Sequence, residues 1–372
     1  MRDFLDMLLR LRVLIRKELL AVLKDPGSRS ILITPALMQG LLFGYAATYD
    51  LTNVPYALLD QSHGANAVNL IAKLDGTGVF HRVATLQTQR DIADVVDSGK
   101  ALVVLQIPSD FERQIEAGEP APLQVILDGR NSTTAGSAGA YIGSVVAEFN
   151  AQLRNAPKPP LTVEMRAWYN PNLQTRWNFM PGMIASLSMM QVLMLTALSV
   201  AREREQGTFD QLLVTPLSPA EIMIGKAIPS ILIGLFQSTL ILCLSRFWFD
   251  IPMAGSIVTL YSGLLMFTIA SVGIGLSISA VSTSMQQAML YSFVLIMPLM
   301  LLSGLTTPVR NMPQAMQIAT LANPLRFAID LTQRVYLEGV GLLAVWHNFI
   351  PLFVISAVTL PLAAWLFRNR LV

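Results

Sequence analysis

The 372-residue chain carries 26 Lys and Arg against 24 Asp and Glu, a net charge of +2, with 13% charged and 53% hydrophobic residues and a mean hydropathy of +0.52. An ordinary soluble protein is about a quarter charged, so a globule of this size would expose large apolar patches, and lipid is the simplest cover for them. The near-zero net charge offers no field for nucleic acid, and the single cysteine, Cys243, excludes an intrachain disulfide and multi-cysteine metal sites.

Residues 1–30 read as an amphipathic helix. Leu8, Leu11, Ile15, Leu19 and Val22 recur at steps of three and four with Arg12, Arg16 and Lys17 between them, and Asp25, Pro26 and Gly27 stop the run. Such a helix is expected in the cytoplasmic interface. A span needs about 20 mostly apolar residues, and six stretches qualify: 31–49, 178–200, 227–248, 256–281, 288–306 and 345–367. None contains Asp, Glu or Lys, and Arg246 and His347 lie near ends, where long basic side chains reach water. The expected inner flanks hold twelve Lys and Arg, and the short outer segments hold four, namely Arg246, Arg310, Arg326 and Arg334. That imbalance places both termini in the cytoplasm. The first span is not read as a cleaved signal peptide, because its basic flank runs through Arg29 and Pro35, Gln39 and Gly40 interrupt it.

Between the first two spans, residues 50–177 turn soluble in composition. Strands are expected at 55–59, 101–107, 123–127 and 162–169, and helices at 67–74, 89–98, 109–117 and 137–154, which gives a small α/β domain outside the membrane. His63 and His81 lack the paired spacing of a zinc site, and Gly129, Arg130 and Asn131 read as a turn before the long helix. The fold class is therefore an α-helical integral membrane protein with six transmembrane helices and an extracytoplasmic α/β domain between helices 1 and 2.

After the second span, residues 201–226 form a connector: a charged continuation of the helix, a break at Gly207, a short amphipathic helix carrying Phe209, Leu212 and Leu213, and a Pro-bounded turn. The run from Arg202 through Leu217 reads Arg-Glu-Arg-Glu-Gln-Gly-Thr-Phe-Asp-Gln-Leu-Leu-Val-Thr-Pro-Leu and is followed by Glu221-Ile222 and Gly225-Lys226. It resembles the hallmark of ABC-2 type transporter permeases, and Leu302-Ser303-Gly304, Thr307-Pro308, Met312-Pro313 and Ala322-Asn323-Pro324-Leu325-Arg326-Phe327 agree with it. The resemblance covers essentially the whole chain and is closest to the bacterial multidrug or cation exporters.

It implies that Arg202, Glu203, Arg204, Glu205, Gln206, Gly207, Thr208 and Gln211 touch a separate ABC ATPase subunit, with residues 1–30 as the connecting helix. It implies an outer hairpin over 303–344 in which Gly304, Pro308, Asn323 and Pro324 are structural. The implied partners are that ATPase, a second copy or a related permease, lipid, and an adaptor in the periplasm. The implied location is the bacterial inner membrane.

A phosphate cradle is absent from the sequence: Gly99-Lys100 and Gly225-Lys226 are each followed by Ala and lack the upstream Gly. ATP and Mg are thus expected on the partner subunit, with no cofactor, metal or catalytic residue on this chain. An ion-driven carrier is the main rival, and the expected spans lack the carboxylate that such carriers use. Gln39, Gln191, Thr196 and Gln237 are candidates for a substrate path, helix-to-helix hydrogen bonding being the competing role. A membrane anchor for a binding domain is the remaining alternative.

Overall fold

The computed structural model describes residues 2–24, 26–46, 53–130, 132–153, 174–208 and 217–369. The chain divides into two compact units, Tyr49–Arg166 and the combination of Met1–Thr48 with Ala167–Val372.

The second of these is helical. Its elements are α1 (Arg2–Lys24) and α2 (Pro26–Ala46), then, beyond the α/β unit, α7 (Thr175–Glu205), α8 (Pro219–Cys243), α9 (Ile257–Val281), α10 (Met285–Leu301), α11 (Gln314–Ala319), α12 (Pro324–Gln333) and α13 (Leu342–Asn369). Among the described residues, four helical stretches are long and apolar enough to cross a membrane: Thr175–Glu205, Ala220–Trp248, Ile257–Val281 and Leu342–Asn369. Leu32–Tyr45 and Met285–Leu301 are shorter apolar helices.

Several boundaries differ from the sequence reading. The helix of the first expected span begins at Pro26 rather than residue 31, because proline's fixed φ suits a first helical turn as well as it suits a stop. The fifth begins at Met285, where the Ser284 hydroxyl accepts from Gln287 N, and ends at Leu301, short of residue 306. Gly304, at φ +91°, then takes a left-handed turn that an L side chain resists.

Small residues set the helix crossings. Each helix must satisfy its own hydroxyls away from water, and Ser186, Thr196, Ser271 and Ser292 donate to carbonyls four residues back in their own helices. Ser188 instead donates across to the Gly234 carbonyl at 2.9 Å, joining α7 to α8. A Cβ at Gly234 would overlap Val192, one at Gly275 would overlap Thr196, and one at Gly273 would overlap Thr359. These glycines let α7, α8, α9 and α13 approach closely, as small residues do in lipid-embedded bundles. The Gly40 and Gly44 pair of α2 likewise accommodates Leu244 and Phe249.

The other unit holds β1 (Val54–Asp60), α3 (Ala65–Gly76), β2 (Phe80–Thr85), α4 (Asp91–Asp97), β3 (Val103–Ile107), α5 (Phe111–Glu116), β4 (Gln124–Leu127) and α6 (Ser132–Leu153). The strand order is β2-β1-β3-β4, with β1 parallel to β2 and β3, and β4 antiparallel to β3. Strand alternation sends Val54, Tyr56 and Leu58 to a face packed by α3, α5 and α6, and Ala57 and Leu59 to a smaller core with Ile92 of α4. Strand β2 is not among the strands expected from the sequence. It is an edge strand whose Phe80 alone is buried, so it shows no apolar alternation to read. The expected strand at 162–169 lies outside the described residues.

Candidate coupling site

A 31-residue helix rises about 46 Å, more than the roughly 30 Å of a bilayer core. The charged end of α7 can therefore stand clear of the lipid. It stops because Gly207 adopts φ +67°, while Gly207 N donates to Arg204 O at 3.1 Å and Thr208 N to Glu203 O at 3.0 Å. This pair of bonds closes the last carbonyls of a helix around a left-handed glycine.

Three of the four charged residues before that glycine have different partners. Glu203 is buried. Its carboxylate sits 3.2 Å from Lys17 Nζ of α1 and 2.8 Å from Lys226 Nζ of α8. The Lys226 side chain is 1% exposed and also reaches Glu18 at 3.5 Å and the Ser199 carbonyl at 3.3 Å. Two carboxylates and two ammonium groups thus form a clasp joining α1, α7 and α8. Burial works against the Lys17 charge, but Glu18 and Glu203 outweigh it and raise its pKa above 10.5.

Beside the clasp, Gly225 has no Cβ and Leu14 of α1 fills the space one would occupy. Leu14 is thereby buried. Arg10 Nε lies 3.7 Å from Glu221 Oε1, and Glu221 with Ser218 forms a capping box that starts α8.

Arg204 and Glu205 turn to other helices. Arg204 Nη1 donates to the Ala280 and Ser282 carbonyls at 3.0 and 3.1 Å, at the C-terminal end of α9. Glu205 Oε2 accepts from Met285 N at 2.7 Å, at the start of α10. A cation at a helix C-terminus and an anion at an N-terminus both complement the helix dipole. The three residues Glu203, Arg204 and Glu205 therefore bond to α1, α8, α9 and α10.

Arg202 is half-buried, and Gln206, Gly207 and Thr208 are exposed. Gln211 and the expected amphipathic helix of Phe209, Leu212 and Leu213 lie outside the described residues. Sequence reasoning quoted Gly225 and Lys226 only as a motif and missed Glu18. Its signal was a carboxylate beside Lys17 on the otherwise basic face of α1.

The path candidates lie on three helices, Gln39 on α2, Gln191 and Thr196 on α7 and Gln237 on α8. Thr196 is fully buried and bonds its own helix, Gln237 is buried with no hydrogen-bond partner for Oε1 among the described residues, and Gln39 and Gln191 are half-buried. In the hairpin, the Asn323 Oδ1 accepts from Leu325 N at 3.0 Å and its Nδ2 donates to the Leu299 carbonyl at 2.7 Å. Asn323 thus starts α12, with Pro324 in the first helical position, and ties it to the end of α10. A cavity of about 420 Å³ beside it includes Gly304 and Pro308. Among the described residues no cluster of three His, Cys, Asp or Glu side chains could hold a metal ion.

Residues 28–365 match the family model described as "ABC-2 family transporter protein". The chain is 41% identical, over 97% of its length and 99% of the relative's, to the probable multidrug ABC transporter permease YbhR of Escherichia coli K12. It is 29% identical to the inner membrane transport permease YhhJ of the same strain, over 95% of this chain and 96% of that one. To the probable multidrug ABC transporter permease YbhS it is 28% identical, over 89% of each chain.

Proposed function

Because the chain belongs to the ABC-2 transporter family, we propose that it is the membrane subunit of an exporter that moves drugs, organic cations or lipophilic compounds out of the cytoplasm or inner membrane. ATP is bound with Mg and hydrolysed on a separate ATPase subunit. The chain crosses the inner membrane six times with both termini in the cytoplasm, so that the α7 end faces the ATPase and the α/β unit faces the periplasm. It pairs with a second copy or a related permease.

The observation that carries this reading is the set of bonds made by Glu203, Arg204 and Glu205. A surface loop that merely linked two spans would not need side chains committed to three other helices and to α1. Closure of the ATPase against this stretch would displace a rigid node, and the work of ATP hydrolysis would bias the helices between inward-open and outward-open arrangements. The relatives' printed names, two of them multidrug permeases, support the substrate class.

The reading is tested by purifying the tagged chain from its native membrane. An ATP-hydrolysing subunit is expected to remain bound, with turnover that rises on adding an exported compound. Purification of a folded chain that neither retains nor stimulates any ATPase would overturn it.

A further inference from the structure

A cavity of about 680 Å³ opens on the α/β unit, between α3 and the β1–β2 edge of the sheet. Its two walls differ in chemistry. Val68 and Ile71 of α3 make one wall, and Leu58, Arg82 and Thr85 of the paired strands, with Asp60 at the end of β1, make the other. Val68 is 56% exposed, an apolar side chain on α3 that faces water instead of the core.

Two local departures from regular structure build the polar wall. In the β1–β2 pairing Arg82 lies opposite Tyr56, but Ala84 lies opposite Ala57 and Thr85 opposite Leu58, so Val83 is an extra residue in β2. Residues three apart on a regular strand face opposite sides. The bulge puts Arg82 and Thr85 on the same side, toward the cavity, and bulges commonly re-aim side chains in this way. At the end of β1, Asp60 Oδ1 accepts from Ser62 N at 3.0 Å and His63 N at 3.2 Å. His63 is one of two described non-glycine residues with positive φ, at +52°. A backbone held there is the kind of local outlier that clusters at ligand clamps.

The charges do not cancel within the cavity. Asp75 is committed, accepting from the Tyr56 hydroxyl and from the Arg82 guanidinium. Asp60 is not matched in this way. Its side chain is only 11% exposed, and its other oxygen stands 3.8 Å from His63 Nδ1, beyond a hydrogen bond. The lining thus holds two carboxylates and one guanidinium beside the His63 imidazole.

We propose that this cavity is a binding site for an amphipathic organic cation, its apolar body against Val68 and Ile71 and its positive charge against Asp60. The site is separate from the coupling stretch, and its occupancy does not require that transport be driven by ATP.

The test uses the full purified chain in micelles, without an ATPase, and ethidium as the probe, read by its fluorescence, with the anionic naphthalene dye ANS as the charge-reversed control. Asp60→Asn keeps the oxygen that accepts from Ser62 and His63 and removes only the charge. Val68→Lys places a like charge at an exposed position that the fold tolerates. Each is expected to weaken the saturable ethidium component by about tenfold or more, the scale of one lost unit-charge attraction, with the thermal midpoint unchanged and ANS binding no weaker. The proposal is overturned by the absence of a saturable ethidium component in the wild type, by wild-type ethidium affinity in the folded variants, or by equal loss of ANS. Should Asp60→Asn fail to fold, Val68→Lys alone distinguishes the same outcomes.

Discussion

Replacing Lys226 with methionine tests the clasp on which the coupling reading stands. The Lys226 ammonium lies 2.8 Å from Glu203 and 3.5 Å from Glu18, and its side chain is 1% exposed. Lys226→Met conserves the stem and removes the charge. Glu203, 10% exposed, keeps only the 3.2 Å contact to Lys17. Breaking one partner of a buried pair typically costs about 3–5 kcal/mol, because the remaining charge stays buried. The surviving Lys17 places this case at the low end, about 3 kcal/mol. Replacing both members, as Glu203→Leu with Lys226→Met, removes the stranded charge and is expected to cost only about 1 kcal/mol, about 2 kcal/mol less than Lys226→Met alone. Equilibrium unfolding of the purified chain in one mixed-micelle system measures these differences, and limited proteolysis of α1 reports its release. A loss under about 0.5 kcal/mol for Lys226→Met, or a double variant less stable than the single, would refute the clasp.

Two further substitutions probe the contacts around it. Gly225→Val forces branched carbons into the space held by Leu14 and is expected to destabilise α1 docking by about 1–3 kcal/mol; faster proteolysis of α1, reversed by adding Leu14→Ala, is the readout. Glu205→Arg puts a cation at the start of α10, where Met285 N now donates to a carboxylate, a local cost of about 1–2 kcal/mol. The variant is expected to insert and fold while ATP turnover by the complex no longer responds to exported compound, and a wild-type response would remove Glu205 from the coupling path.

Much of the architecture was legible because it rests on patterns that a linear reading can detect. The long apolar runs of α7, α9 and α13 and the turn-bounded strands β1 and β3 are local signals. The charged stretch at 202–205 was legible as a motif, but the bonds it makes were not. Lys17 and Glu203 are 186 residues apart, and Lys226 and Glu18 are 208 apart, and no periodicity connects such positions. A charged side chain on a basic amphipathic helix looks solvated in sequence, yet here Glu18 turns inward. A hydroxyl such as Thr196 fits either a polar path or a helix bond in sequence, and the bond it makes, to its own helix carbonyl, is seen only in the structure. Strand β2 escaped notice since an edge strand buries little, and its bulge at Val83, which shapes the cavity, leaves no mark in composition.

The most direct test of an ATP-driven gate is transport by reconstituted protein. The chain is placed in sealed vesicles with its ATPase subunit, and movement of a fluorescent drug is followed after ATP and Mg are added. Uphill movement that needs hydrolysable ATP, stops without the ATPase and weakens in Glu205→Arg is the predicted result. Uphill movement by the chain alone, sustained by a proton or sodium gradient, would contradict it.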